Sequence, residues 1–223
     1  MDALQLVDSF QPPADERSAT VGSLDEGTVD RGARDGTGGT DVRDLYRTAP
    51  EMRGERVSTG LPVGVVAPDL TLPDKDGEPV TLSQLRGRPV ALVFYPLDWS
   101  PGCSVQLELY QQEHEEFAAR GVQLLGISVD SIYSHGAWAA ARGIEFPLLS
   151  DFQPRGAVAR DYRVWREHDG FSERALYLLD SQGVIRWAHV SPHLHHLPDF
   201  DELVAALDLV AESATTRPQE VTT

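Results

Sequence analysis

The chain has 223 residues, a formal net charge of −16 and an isoelectric point near 4.7. This acidic balance argues against binding a nucleic-acid backbone or an anionic lipid surface, because both partners need a basic surface. The length suits one domain of ordinary size, and no segment approaches the roughly 20 apolar residues of a membrane-spanning helix.

The N-terminal part of the chain differs from the rest in composition. Residues 1–60 are acidic, rich in glycine and poor in large apolar side chains, so we predict a disordered extension there. Met52 lies near its end, which raises the hypothesis of an internal translation start. A folded domain is predicted over 61–213, followed by a flexible tail at 214–223. The first residues lack the basic and apolar regions of a secretory signal, so we expect a cytoplasmic protein.

After residue 61, turn-forming residues separate predicted strands and helices at regular intervals. Asp74-Lys75-Asp76-Gly77 predicts a hairpin turn between short strands. The remaining predicted elements, in chain order, are a buried strand at 89–95, a helix at 101–119 ending before Gly121, a buried strand at 122–129, a helix at about 131–142, a short helix near 154–161, a hairpin of strands at 175–179 and 184–190, and a last helix at about 199–212. This order predicts a thioredoxin-like three-layer α/β sandwich with a mixed central sheet and an added N-terminal hairpin.

The single cysteine lies where a buried strand passes into a helix. Ser100 is a favourable N-cap, Pro101 a favourable first helical residue, and Cys103 then falls at the third helical position. Free amide donors and the positive end of the helix dipole lower the pKa of a thiol in such a place below its free value of about 8.5. Cys103 is therefore a candidate nucleophile; the alternative is a small buried apolar residue.

The residues around this cysteine resemble a known family. Pro96-x-x-x-Ser100-x-x-Cys103 is similar to the Pro-x-x-x-Thr/Ser-x-x-Cys signature of peroxiredoxins, the alkyl hydroperoxide reductase/thiol-specific antioxidant family. Phe94-Tyr95-Pro96 and the segment 173–180 resemble the family as well. The resemblance extends from about 62 to 210. It implies a thiol-dependent peroxidase that uses no cofactor and reduces hydrogen peroxide, organic hydroperoxides or both.

The resemblance also implies a role for each matching residue. Cys103 would attack the peroxide and become a sulfenic acid. Ser100 would hold the peroxide in line with the sulfur, and Pro96 would shield the thiolate. Arg174 would stabilise the thiolate and the leaving oxygen, and Gln106 would orient that arginine.

Each of these assignments has a structural alternative. Ser100 could serve only as a helix cap, and Pro96 only as a strand terminator. Arg174 could instead pair with a carboxylate such as Glu173. Gln106 could have no role in the site.

One cysteine leaves no second cysteine in this chain to form a disulfide with the sulfenic acid. The resemblance therefore implies a one-cysteine type that is recycled by an external thiol: thioredoxin, mycothiol with a mycoredoxin, or another small thiol. A homodimer is expected from the family. A disulfide reductase is excluded because Cys103 belongs to no Cys-x-x-Cys pair. A redox sensor with little turnover remains an alternative.

Other residues with possible chemistry receive mainly structural interpretations. His193, His195 and His196 form a cluster that could bind a metal, but solvated loop histidines are the preferred interpretation, and no metal is expected. Trp99 and Trp187 are expected to pack around the pocket or to form a rim that faces a partner. His135, near the start of a predicted helix, is expected to be structural.

Overall fold

The computed structural model describes residue 56 and residues 58–215, with side chains described as far as residue 211. The hypothesis about Met52 and most of the predicted extension lie outside these residues, as does the predicted tail beyond residue 215. Arg56 donates a backbone hydrogen bond to the carbonyl of Pro192 over 2.9 Å, within the stretch that the sequence assigns to the extension.

A five-stranded mixed sheet lies at the centre. Its strands are β3 (Val90–Phe94), β4 (Gln123–Ser128), β5 (Leu148–Ser150), β8 (Ala175–Leu179) and β9 (Ile185–Val190). They lie in the order β5-β4-β3-β8-β9. The first three run parallel, whereas β8 is antiparallel to both β3 and β9. Every residue of β3 and of β8 is buried, as a continuous apolar run predicts for a central strand. The predicted α/β class and mixed sheet are confirmed.

Alternate residues of β3 contribute to apolar clusters on the two faces of the sheet. Val90, Leu92 and Phe94 belong to one cluster, and Ala91 and Val93 belong to the other. The second cluster also contains the candidate cysteine and residues of four helices. These are α1 (Pro101–Gln112), α2 (His114–Ala119), α3 (Ile132–Arg142) and α5 (Phe200–Thr215). The short helix α4 (Ala157–Asp161) contributes to the first cluster.

The helix predicted over 101–119 is two helices. Glu113 takes φ −94° and ψ 19°, which ends α1 and begins α2. A conformation in this sparsely populated region depends on local packing that a periodicity argument does not contain. The glycine predicted to follow the helix, Gly121, does adopt a left-handed φ of 64°.

Short strands account for the remaining differences. The predicted N-terminal hairpin is confirmed as β1 (Thr71–Pro73) and β2 (Pro79–Thr81). The strand β5 and the pair β6 (Trp165–Arg166) and β7 (Phe171–Ser172) were not predicted. Two or three residues are too few to carry a periodic pattern. None of the helices between residues 58 and 215 is long and apolar enough to cross a bilayer.

Candidate active site

Cys103 lies in the first turn of α1, immediately beyond the connection from β3. Ser100 is the N-cap, with extended backbone angles of −66° and 139°, and Pro101 begins the helix. The Ser100 hydroxyl accepts a hydrogen bond from the Cys103 backbone N–H over 3.4 Å and donates one to the Leu97 carbonyl over 3.0 Å. The predicted capping arrangement is therefore present, and the sulfur lies at the positive end of the helix.

The Cys103 side chain is fully buried and is a free thiol. It belongs to the apolar cluster beneath α1, together with Leu107 of the same helix and Val93 of β3. Apolar surroundings favour a neutral thiol over a thiolate. A reactive thiolate at this position therefore needs a positive partner within a few ångströms.

Arg174, which directly precedes β8, provides that partner. Its Nη2 lies 3.7 Å from the Cys103 Sγ, although 71 residues separate the two in sequence. Its Nη1 donates to the Gln106 Oε1, and its Nε donates to the Leu194 carbonyl over 3.2 Å. The guanidinium is fully buried and forms no ion pair with any carboxylate in the part of the chain that the structure describes. Its positive charge is thus directed at the sulfur.

The alternative pairing of Arg174 with Glu173 is not what the structure contains. The Glu173 carboxylate lies 3.1 Å from the Arg166 Nη1 and is almost fully buried. Glu173 and Arg174, which lie between β7 and β8, therefore reach different partners.

Gln106 connects the arginine to a further buried side chain. Its Oε1 accepts from Arg174, and its Nε2 donates to the Tyr110 hydroxyl over 3.0 Å. Burial raises the pKa of Tyr110 to about 12, so this phenol keeps its proton at neutral pH. Sequence reasoning missed Tyr110, although its position four residues after Gln106 on one helix was a usable signal.

The structure brings four of the five residues singled out in the sequence into one connected set: Ser100, Cys103, Gln106 and Arg174. Pro96 is buried and lies on the connection between β3 and α1 that also carries Ser100. Its predicted role as a shield stays a prediction.

The histidine-rich loop lies next to the site through its backbone. The Leu194 carbonyl, which holds Arg174, is flanked by His193 and His195. The rings of His193 and His196 lie 5.8 Å apart, and His196 stacks on His189 at 5.9 Å. Over the described residues, no three His, Cys, Asp or Glu side chains are arranged to hold a metal ion.

The two tryptophans differ in exposure. Trp99 is 52% exposed and therefore lies on the surface, four residues before the cysteine. Trp187 is partly buried against the cluster beneath α1 and stacks on His189 at 5.9 Å between ring centroids. The expectation of packing fits Trp187, and the expectation of an exposed rim fits Trp99.

Comparison with known proteins identifies close relatives. The sequence profile of the AhpC/TSA family matches residues 63–188. Alkyl hydroperoxide reductase E of Mycobacterium tuberculosis is 40% identical over 131 residues, which are 58% of this chain and 86% of that protein. The chloroplastic peroxiredoxin Q of Triticum aestivum is 35% identical over 150 residues, covering 65% of this chain and 68% of that one.

Solved structures agree with the sequence relatives. The crystal structure of peroxidoxin BcpB from Mycobacterium tuberculosis superposes with a TM-score of 0.58 and 30% identity, covering 66% of this chain and 97% of that one. The reduced 2-Cys peroxiredoxin of Plasmodium vivax gives a TM-score of 0.61 and 32% identity, covering 69% of this chain and 84% of the other.

Proposed function

The chain belongs to the AhpC/TSA family and is a thiol-dependent peroxidase, and from this premise we propose that Cys103 is the residue that attacks the peroxide. The observation that carries the assignment is the fully buried Arg174, whose guanidinium lies 3.7 Å from the Cys103 sulfur. A buried cation without a carboxylate is costly, and a thiolate at this distance is the counter-ion that would relieve that cost.

In the proposed reaction the Cys103 thiolate attacks one oxygen of the peroxide. A sulfur–oxygen bond forms as the oxygen–oxygen bond breaks, and the sulfur is oxidised to a sulfenic acid. The departing oxygen leaves as hydroxide or alkoxide and takes up a proton, giving water or an alcohol. Arg174 stabilises the charge on that oxygen, and the Ser100 hydroxyl holds the peroxide in line.

Two further residues support this arrangement. Gln106 accepts from Arg174 and is itself held by Tyr110, so the guanidinium has a fixed orientation. Pro96 is proposed to cover the thiolate from the side of the β3–α1 connection. Neither residue takes part in bond making.

The assignment is tested by stopped-flow tryptophan fluorescence of the reduced protein mixed with hydrogen peroxide and, separately, with an alkyl hydroperoxide. We expect a second-order rate constant far above that of free cysteine, and no peroxide consumption by a Cys103→Ser variant. A wild-type rate no faster than that of free cysteine would refute the proposed role of Cys103. The ratio of the two wild-type rates gives the peroxide preference.

The sulfenic acid needs an external thiol, because this chain contains no other cysteine. Thioredoxin, mycothiol with a mycoredoxin, and another low-molecular-weight thiol are the candidates. Steady-state peroxide consumption with each reductant separates them, and the physiological class is the one that supports turnover at low concentration. Sustained turnover would also rule out the sensor alternative, which the family relationship does not favour.

We also propose a homodimer in the cytoplasm. Trp99, Tyr133 and Phe152 are each at least half exposed and follow the carboxyl ends of β3, β4 and β5, which are neighbours in the sheet. Exposed aromatic side chains on one edge are typical of protein interfaces. Sedimentation equilibrium of the wild type and of a Tyr133→Ser variant tests this, because the variant should dissociate at higher concentration.

A further inference from the structure

A second cluster of polar side chains includes a residue of the connection that leads from β3 to the cysteine, and it takes no part in the reaction as described. Its members come from the end of β3, the connection that follows it, and the first turn of α3; they are Tyr95, Asp98, Ser134 and His135. The side chains of Asp98 and His135 have no exposed surface. Polar groups this deep are tolerated only when their hydrogen bonds are made.

Asp98 is the centre of the cluster. Its carboxylate accepts from the Tyr95 hydroxyl over 2.9 Å and from the Ser134 hydroxyl over 2.7 Å, and it lies 3.0 Å from the His135 Nδ1. Burial raises the pKa of Tyr95 well above its usual value, so the phenol remains a donor. The Asp98 backbone N–H donates to the Asp130 carboxylate over 2.9 Å. Both the backbone and the side chain of Asp98 are therefore fixed.

The second ring nitrogen of His135 determines where its protons lie. Nε2 is 3.3 Å from the Leu149 carbonyl, which can only accept, so this nitrogen carries a hydrogen. Nδ1 faces the Asp98 carboxylate over 3.0 Å. His135 thus joins the β3–α1 connection to β5 through hydrogen bonds on both sides of its ring.

Trp99, the residue after Asp98, has a backbone conformation that depends on the position of Asp98. Trp99 has a φ of 61°, a left-handed conformation that a bulky residue adopts only when its surroundings impose it. Its side chain is 52% exposed, so its own packing does not hold it there. The constraint comes from its neighbours: Asp98 is held in the polar cluster, and Ser100 caps the helix that carries Cys103.

We propose that Asp98 and His135 are positioning residues for the reaction at Cys103, because they hold the turn that sets Ser100 against the first turn of α1. This inference rests on the proposed peroxidase function. If the pair is broken, Trp99 can relax and Ser100 moves relative to the sulfur. Arg174 directly precedes β8 and lies outside this turn, so we expect its contact with the Cys103 sulfur to be retained.

Two reactions at the Cys103 sulfur differ in how strongly they depend on the position of Ser100. Attack on a peroxide needs the oxygen–oxygen bond aligned by Ser100, and a small misplacement can cost up to about 100-fold in rate. Alkylation by iodoacetamide needs the thiolate and access to it, but not that alignment. The ratio of the peroxide rate to the alkylation rate therefore reports positioning when both rates are measured on fully folded protein. Unfolding would itself lower the ratio, because it exposes the buried Cys103 to iodoacetamide, so the folded state of each variant is checked by circular dichroism under the assay conditions.

Two substitutions of one residue give the sharpest test. In His135→Asn the amide nitrogen can occupy the place of Nδ1 and still donate to Asp98, whereas in His135→Gln it can replace only the Nε2 contact with Leu149. We expect His135→Gln to lower the peroxide-to-iodoacetamide ratio at least about tenfold and His135→Asn to stay nearer to the wild type. Asp98→Asn should lower the ratio as His135→Gln does, and Ser134→Ala provides a milder variant if Asp98→Asn does not fold.

Asp180→Asn is the matched control. Asp180 is equally buried and accepts hydrogen bonds from the backbone N–H groups of Gln182 and Val184, but it lies in the β8–β9 turn. This end of β8 pairs with the start of β3, away from the cysteine. The control should lose stability with an unchanged ratio.

Equal ratios in the two His135 variants, or a ratio lowered as much by Asp180→Asn, would overturn the positioning role. A wild type that reacts with peroxide no faster than free cysteine would overturn the proposed function and this inference with it. A fast wild type whose ratio survives both His135→Gln and Asp98→Asn would overturn this inference alone.

Discussion

Two buried arginines, Arg166 and Arg174, lie close in sequence and differ in what balances their charge. Arg166 faces the carboxylates of Glu173 and Asp169, at 3.1 and 2.5 Å. Arg174 faces a neutral amide, a backbone carbonyl and the Cys103 sulfur. A guanidinium paired with carboxylates mainly stabilises the fold, whereas one without them can still act on a charge that forms during a reaction.

The largest expected effect is on stability, and it concerns the paired arginine. Arg166→Gln leaves the Glu173 carboxylate buried without this partner, which we expect to cost about 3 kcal/mol or more of the free energy of unfolding. Urea unfolding measures the loss. The double variant Arg166→Gln/Glu173→Gln should be less destabilised than the single variant; an additive loss would contradict the pairing argument.

The next effect is on the reaction, and it concerns the unpaired arginine. Arg174→Gln removes the cation beside the sulfur, and we expect the peroxide rate constant to fall about 10²–10³-fold. The free energy of unfolding should change far less than in Arg166→Gln, because the partners of Arg174 are a neutral amide, a backbone carbonyl and the sulfur. Stopped-flow and urea measurements on the same two variants complete the comparison. A rate that falls equally in both variants would show that the arginines do not have separate roles.

A smaller effect on the reaction is expected when Arg174 is given a carboxylate partner, as Arg166 has. Gln106→Glu would give Arg174 a carboxylate partner, so the sulfur would no longer be its main counter-ion. We expect the peroxide rate constant to fall by less than Arg174→Gln causes, as measured by stopped-flow fluorescence. Gln106→Met, which adds no charge, is the control and should leave the peroxide rate constant nearer to the wild type; equal rate constants in the two Gln106 variants would contradict the argument.

The smallest expected effect concerns a buried carboxyl group. Burial raises the pKa of Asp130 above its usual 3.8. The folded chain therefore binds more protons than the unfolded chain above pH 3.8, so this group makes the wild type less stable as the pH rises through its folded-state pKa. Asp130→Asn removes that contribution. The free energy of unfolding of Asp130→Asn, measured by urea unfolding and compared with that of the wild type, should increase from pH 4 upward and then level off. A difference between the two proteins that does not depend on pH would contradict the raised pKa of Asp130.

Much of the site could be predicted from local sequence. Ser100, Pro101 and Cys103 lie within one helical turn, where capping preferences act directly, and the structure has them as predicted. The contact of Arg174 with the sulfur spans 71 residues and followed only from the family resemblance. No periodicity or spacing rule brings two such positions together.

The contact between Asp98 and His135 in the polar cluster could not be predicted from the sequence. Asp98 and His135 lie 37 residues apart and meet because β3 and β4 are adjacent and parallel, which places the elements that follow them on one edge. The histidine was expected to be structural, and nothing local identified its carboxylate partner. A strand pairing had to be known before the two side chains could be connected.

The complete burial of the Cys103 sulfur has a consequence for the timing of the catalytic cycle. A protein reductant has to bring its own sulfur within bonding distance of the Cys103 sulfur, and a sulfur with no exposed surface does not allow that. We therefore expect recycling by a protein to require a movement of the first turn of α1. If that movement is slow, it would limit turnover, and the oxidised protein would persist for that interval.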